Sequence, residues 1–311
     1  MRKWTGMLLF TALAMTVTAC GRNPQAKQAK SSNQIKVMTT FYPMYEFTKE
    51  VVGQAGEVSL LIPAGTEPHD FEPSAKDMAK IVQSDVFVYN SDELETWVKS
   101  AKGNLTSSKT TVIQAARDIK LAEAQPAAED TQHEEHHHTK DPHVWLDPVL
   151  AMKEVQTIEQ QLSKKYPQKQ EIFAKNAATY RQKLQKLDQD YRTALQPAQK
   201  RTFVTQHAAF GYLAKQYDLT QTAIAGVSAE QEPSPSRLAE LKSYVKENQI
   251  EVLYFEENAS SKVAKTLATE TGVKLAVLNP LESLTKQQMQ AGDTYLSVMQ
   301  ANLAALKQAI Y

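Results

Sequence analysis

Of the 311 residues in this chain only one is a cysteine, Cys20. No disulfide can form within the chain, so packing must stabilise whatever folds. Net charge is absent as well, because 35 Lys+Arg balance 35 Asp+Glu. With no basic stripe anywhere, nucleic acid is excluded as a partner. Beyond the N-terminus no apolar run approaches the roughly 20 residues that a membrane-spanning helix needs. What remains is 42% hydrophobic and 23% charged, the composition of an ordinary globular protein long enough for two domains.

The N-terminal segment has its own logic. Arg2 and Lys3 precede a run from Met7 to Ala19 built only of Met, Leu, Phe, Thr, Ala and Val. A basic head, a short apolar middle and small residues at the end define a secretory signal. The tetrapeptide Val17-Thr18-Ala19-Cys20 resembles the lipobox of bacterial lipoproteins. That resemblance implies cleavage before Cys20, lipidation of its sulfur and an extracytoplasmic protein anchored to the bacterial cell membrane. The plainer alternative is a conventional signal peptide (residues 1–19) with an incidental cysteine. Residues 20–34 are polar and read as a flexible tether.

Short apolar runs then alternate with helical patterns. Strands are expected at Ile35–Thr40, Val58–Ile62, Val86–Tyr89 and Thr111–Ile113, and again at Phe203–Thr205, Leu253–Phe255 and Val273–Leu278. Helices are expected at Tyr45–Val52, Lys76–Ser84, Glu93–Ala101 and Lys262–Thr269, with another through Leu213 and a closing one around Tyr295–Ile310. This alternation predicts an α/β fold with parallel sheets. Between the two series, Phe173, Ala177, Tyr180, Leu184, Leu187, Tyr191 and Leu195 recur every three or four residues between Pro167 and Pro197. That spacing predicts one long amphipathic helix (167–197) joining an N-terminal lobe (35–166) to a C-terminal lobe (198–311). A coiled-coil partner is the rival reading of that stripe, and its aromatic residues favour packing across both lobes. EPSPS (232–236) reads as a turn with a helix cap at Ser236.

The seven histidines carry the chemistry. Four (His133, His136, His137 and His138) lie in a low-complexity insertion, 120–142. His69, His143 and His207 stand singly, and Glu282 occupies a place like theirs. His69, His207 and Glu282 each follow an expected strand, on the side where open α/β sheets form their ligand crevice; His143 has no clear strand of its own. A lone loop histidine is ordinarily a surface residue. Together, three imidazoles and one carboxylate make a complete tetrahedral zinc set.

The segments EPHDFEPS, DPHVWLDP, VTQHAAFGY and VLNPLESL resemble the signature segments of zinc-binding lipoproteins in the cluster A-I (zinc/manganese) family of ABC-transporter solute-binding proteins. The resemblance runs along essentially the whole mature chain. It implies two α/β lobes joined by a rigid helix, with a metal site in the cleft between them. His69, His143, His207 and Glu282 match the family's metal ligands, two from each lobe. Manganese-type relatives place a glutamate at the position of His207 and an aspartate at that of Glu282, and imidazole-rich ligation suits zinc. The resemblance is to the zinc type without the additional C-terminal zinc-binding domain. It implies capture of Zn²⁺ by a monomer and delivery to an ABC permease, without enzymatic activity.

Rival readings are specific. His133-Glu134-Glu135-His136-His137 spells the H-E-x-x-H pattern of zinc proteases, yet it lies in a polar run with no apolar face to seat it beside a cleft. A zinc hydrolase would use Glu282 as base rather than ligand. Surface adhesion to host matrix is a further class, which the resemblance also raises. The insertion is either a solvated loop or an auxiliary zinc collector. Phe41, Tyr42, Phe71, Trp145, Phe210 and Tyr212 are expected to pack around the site, while Glu67, Asp70, Glu230 and Glu232 are either partners of the ligands or solvated charges.

Overall fold

A computed structural model describes Met1 and residues 34–124, 140–229 and 233–311. Cys20, the four insertion histidines, Glu230 and Glu232 lie outside the described residues. Among those described, no helix is long and apolar enough to cross a membrane.

The first half contains β1 (Ile35–Thr39), α1 (Tyr42–Val52), β2 (Gly56–Leu60), α2 (Ala75–Val82), β3 (Val86–Tyr89), α3 (Trp97–Ser107) and β4 (Thr111–Gln114). Its four strands are parallel in the order β2-β1-β3-β4. The second half contains β5 (Thr202–Thr205), α6 (Gly211–Gln216), β6 (Thr220–Ala223), α7 (Pro235–Glu247), β7 (Val252–Phe255), α8 (Lys262–Thr271) and β8 (Lys274–Val277). The same plan recurs there, β6-β5-β7-β8, again all parallel. Between the halves run α4 (Pro148–Lys165) and α5 (Gln170–Leu195); α9 (Lys286–Ala291) and α10 (Tyr295–Ile310) close the chain. In both sheets the strand order reverses beside the first strand, so each presents a crevice at its carboxyl end.

The expected α/β fold with two parallel sheets and a joining helix is what the chain adopts. All seven residues of the amphipathic stripe are buried on α5. Its 26 residues span about 39 Å at helical rise. One face packs on α1 and α4, and farther along it meets α10, where the Tyr191 hydroxyl donates to the Met299 carbonyl at 2.6 Å. A single apolar cluster therefore includes Phe47, Val88 and Ile158 from one side and Phe203, Tyr254 and Leu306 from the other. The outer faces of the sheets have separate clusters, one around Phe87 and Val98, the other around Leu253 and Leu267.

Some elements depart from expectation. Helix α4 has no counterpart in the sequence reading, although Asp147 caps it through Val149 N at 2.8 Å and Pro148 opens it. Strand β6 reads TQTA, too polar to register as a strand by pattern alone. The cap of α7 is Ser234, not Ser236, because Pro235 occupies the first helical position and Ser234 Oγ accepts from Arg237 N.

Because the inner core is shared, the described body should unfold as one unit. Denaturant unfolding of the metal-free protein is expected to show one transition, and Leu184→Ala on α5 should cost about 3 kcal/mol without splitting it. Two separate transitions in either protein would contradict a common core.

Candidate metal centre

His69 lies between β2 and α2, past a turn in which Thr66 N donates to the Pro63 carbonyl with Gly65 at φ 79°. That left-handed φ suits glycine at the third position of a type II turn. Gly65 N donates across to Ser283 Oγ at 2.7 Å, tying the His69 loop to the neighbour of Glu282. His143 lies in Asp141-Pro142-His143, before a 3₁₀ turn over Val144–Leu146. Of the two Asp-Pro steps in DPHVWLDP, the second caps α4 and the first serves the imidazole. The Trp145 indole donates to the Pro280 carbonyl at 2.8 Å, and the Tyr295 hydroxyl donates to the Trp145 carbonyl at 2.5 Å. His207 follows β5, its carbonyl accepting from Thr205 Oγ1 and Gln221 Nε2. Glu282 follows β8 through Leu281, a buried residue at φ 59°. Asn279 Oδ1 accepts from Leu281 N at 2.7 Å and holds that unfavourable conformation, while Asn302 brackets Asn279 from α10.

The structure brings the four sequence-predicted residues together. One ligand atom from each of His69, His143, His207 and Glu282 lies within 4.8 Å of the others, and all four residues are buried. Glu282 Oε1 is the hub: it stands 3.0 Å from His143 Nε2, 3.2 Å from His207 Nε2 and 3.4 Å from His69 Nε2. His69 Nε2 and His143 Nε2 are 3.1 Å apart. A tetrahedral site with bonds of about 2.0–2.1 Å has edges of about 3.3–3.4 Å, so most of these separations approach that of ligands around one small cation.

The orientation of the rings comes from carboxylates that the sequence reading did not identify. Asp141 Oδ1 accepts from His143 Nδ1 at 2.7 Å and from His143 N at 3.0 Å. Glu256 accepts from His207 Nδ1. With both Nδ1 protons committed, each ring turns its Nε2 toward Glu282, a nitrogen that becomes a ligand lone pair once its proton leaves. Glu256 is the first residue after β7, beside the point where the second sheet reverses its strand order; that position was the available signal. Asp141, counted from sequence within the insertion, is buried at 6% exposure. Glu67 accepts from His69 N at 3.1 Å, whereas Asp70 is exposed. Phe41, Trp145 and Phe210 do pack in the shared core; the Tyr212 ring meets Val144 and its neighbours.

So many lone pairs in a dry place distort titration. Burial drives His69 down to about 4, and the neighbouring imidazoles push the same way. Burial also opposes charge on His143 and His207, but hydrogen bonds to Asp141 and Glu282 outweigh it for the first, and the charges of Glu256 and Glu282 for the second, so both are raised. Glu282 is held well below the usual carboxylate range because the three imidazoles overcome its burial. Glu67 is pushed up to about 9 by burial and then by the charge of Glu282. The cluster needs positive charge, supplied by protons or by a cation.

Two parallel-sheet lobes spanned by one helix, with a buried imidazole-rich cluster contributed by both, define a two-lobed metal-binding protein. The chain belongs to the family described as ZnuA, zinc-uptake complex component A, periplasmic, whose model matches residues 37–309. It is 52% identical over 295 residues to the zinc-binding protein AdcA of Streptococcus pyogenes serotype M18, covering 91% of this chain and 57% of that protein. The chain thus spans somewhat more than half the length of that streptococcal relative. It is 49% identical over 317 residues to the high-affinity zinc uptake system protein ZnuA of Bacillus subtilis, covering 99% and 98% of the two chains. Among solved structures, the Zn(II)-bound ZnuA-like domain of Streptococcus pneumoniae AdcA superposes with a TM-score of 0.77 at 52% identity, covering 89% of this chain and 99% of that one. The laminin-binding protein Lmb of Streptococcus agalactiae, titled a bifunctional protein with adhesin and metal transporting activity, gives 0.80 at 36% identity, covering 89% and 100%.

The depressed His69 imidazole has a consequence for the metal-free protein. Its unfolded-state value is about 6.5, so between there and about 4 the unfolded chain binds a proton that the folded one refuses. Stability contributed by neutral His69 is complete above about 6.5 and is lost as pH falls toward about 4. Denaturation midpoints of metal-free wild type and His69→Gln across that window should show a shallower pH slope in the variant. Parallel slopes would contradict the assignment.

Proposed function

We propose that this chain captures Zn²⁺ outside the cytoplasm and delivers it to an ABC-type importer in the membrane. His69, His143, His207 and Glu282 are the proposed ligands, two from each lobe, holding one ion tightly. The observation that carries the reading is the meeting of three Nε2 atoms around one carboxylate oxygen at near-tetrahedral spacing. Three imidazoles and one carboxylate suit zinc over manganese. A complete four-residue set leaves no place for a catalytic water, and Glu282 is enclosed by imidazoles rather than aimed at a substrate, which favours binding over hydrolysis. The chain's family is named for zinc uptake, not for a catalysed reaction.

In this reading Cys20 carries the lipid that tethers a monomer beside its permease, with residues 20–34 as the tether. The insertion histidines His133, His136, His137 and His138 act as a weak collector near the main site. Deleting 125–139 should leave the tight affinity within about threefold while slowing growth at limiting zinc; unchanged growth would remove that role. Adhesion to laminin is a second reading, favoured by the likeness to laminin-binding proteins such as Lmb. Laminin binding that survives loss of the four ligands would mark it as a separate property.

Titration calorimetry of chelator-stripped protein tests the main reading. One zinc per chain is expected, with release of about one proton or more at pH 7, because the raised His207 must lose its proton to ligate. His207→Ala should weaken binding by about 100-fold or more while the metal-free fold persists. Native affinity in that variant, or no tight uptake by wild type, would overturn the assignment.

A further inference from the structure

A C-terminal-lobe helix grips the loop that carries an N-terminal-lobe histidine. The Tyr212 hydroxyl, on the first turn of α6, accepts from Ala122 N at 2.8 Å and donates to the Asp141 carbonyl at 2.7 Å. Asp141 N in turn donates to the Ala122 carbonyl at 3.0 Å, and one step outward Glu123 and Lys140 form an antiparallel bridge with a side-chain ion pair. One phenol thus closes the two chain segments that meet just before His143. The residue before it completes the grip: a Cβ at Gly211 would stand 3.0 Å from Asp141 Oδ2. That carboxylate has no room to retreat freely, since its other oxygen holds both His143 N and His143 Nδ1.

Sequence order makes the arrangement consequential. Residues 207–212 carry His207 at one end and at the other hold the backbone of Asp141, the residue whose carboxylate orients His143. We propose that Gly211 and Tyr212 are positioning residues for His143, acting through Asp141, so that retention of the metal depends on the contact between α6 and the segments at Ala122 and Asp141. This rests on the zinc reading above and assigns it a further pair of residues. Displacing α6 from that contact disturbs His143 and His207 together, which gives metal release a mechanical handle remote from the ion. The ring of Tyr212 has a separate task, packing with Ala116, Ile119 and Val144, and a phenylalanine retains it.

The experiment follows zinc loss from the loaded full chain to excess chelator. Tyr212→Phe should lose zinc about fivefold faster or more, the direction expected when support for a ligand's orienting group is removed. Metal-free Tyr212→Phe should melt within about 2 °C of wild type. Tyr217→Phe is the control: it removes another hydroxyl from the same lobe, bonded to Asp188 away from the cluster, and should change the rate by less than about twofold. In a His143→Ala background, Tyr212→Phe should also change the rate by less than about twofold, because its target is gone. Should Tyr212→Phe fail to fold, Gly211→Ala, which presses on Asp141 Oδ2, is expected to speed loss in the same way. A rate for Tyr212→Phe within about twofold of wild type overturns the positioning role, as does acceleration that persists without His143. If wild type itself takes up no zinc, the zinc reading fails and this proposal with it; wild type that holds zinc beside an unaffected variant overturns the positioning alone.

Discussion

Glu282 Oε1 lies against three imidazole nitrogens, and the rest of the molecule is arranged to keep it there. Crowding lone pairs into a dry cavity is unfavourable unless a positive charge joins them, whether protons or a metal ion. The surrounding groups prevent relaxation away from that crowding. Asp141 and Glu256 fix two rings by their Nδ1 protons, and Asn279 with Asn302 holds Leu281 in a conformation it would otherwise leave. Free energy from the shared core offsets this local cost.

The two halves use one plan twice. Each sheet reverses its strand order beside its first strand, and each offers loops at the carboxyl ends of its strands. Because α5 runs under both and joins their inner faces in one apolar cluster, the loops of one lobe face those of the other in a defined register. Hydrogen bonds across the cleft reinforce that register around the four clustered residues. Gly65 reaches Ser283, Trp145 reaches Pro280, and Tyr212 reaches Asp141.

The parts of this design written as periodicity were legible from sequence. The stripe from Phe173 to Leu195 announced α5, and short β-branched and aromatic runs announced seven of the eight strands. The eighth, β6, is TQTA, whose membership comes from tertiary pairing with β5 rather than from its own residues. Helix α4 starts at the second Asp-Pro step of DPHVWLDP, a capped start with proline at the first helical position that the sequence displays but that the expected elements do not include. Residue type marks all four clustered residues and position after a strand marks His69, His207 and Glu282, with the family resemblance supplying their joint role. Nothing marks Asp141 and Glu256 in that way, because a carboxylate that orients an imidazole looks in sequence like any other charge. In sequence Tyr212 reads as a packing residue, and its hydroxyl bridges are visible only in three dimensions.

In the proposed holo protein three imidazoles and one carboxylate share a single zinc ion. X-ray absorption at the zinc edge of the loaded protein tests this most directly. Four nitrogen or oxygen neighbours at about 2.0–2.1 Å, with outer-shell scattering from three imidazole rings, is the expected spectrum. A six-coordinate shell, or scattering from fewer than three imidazoles, would contradict it.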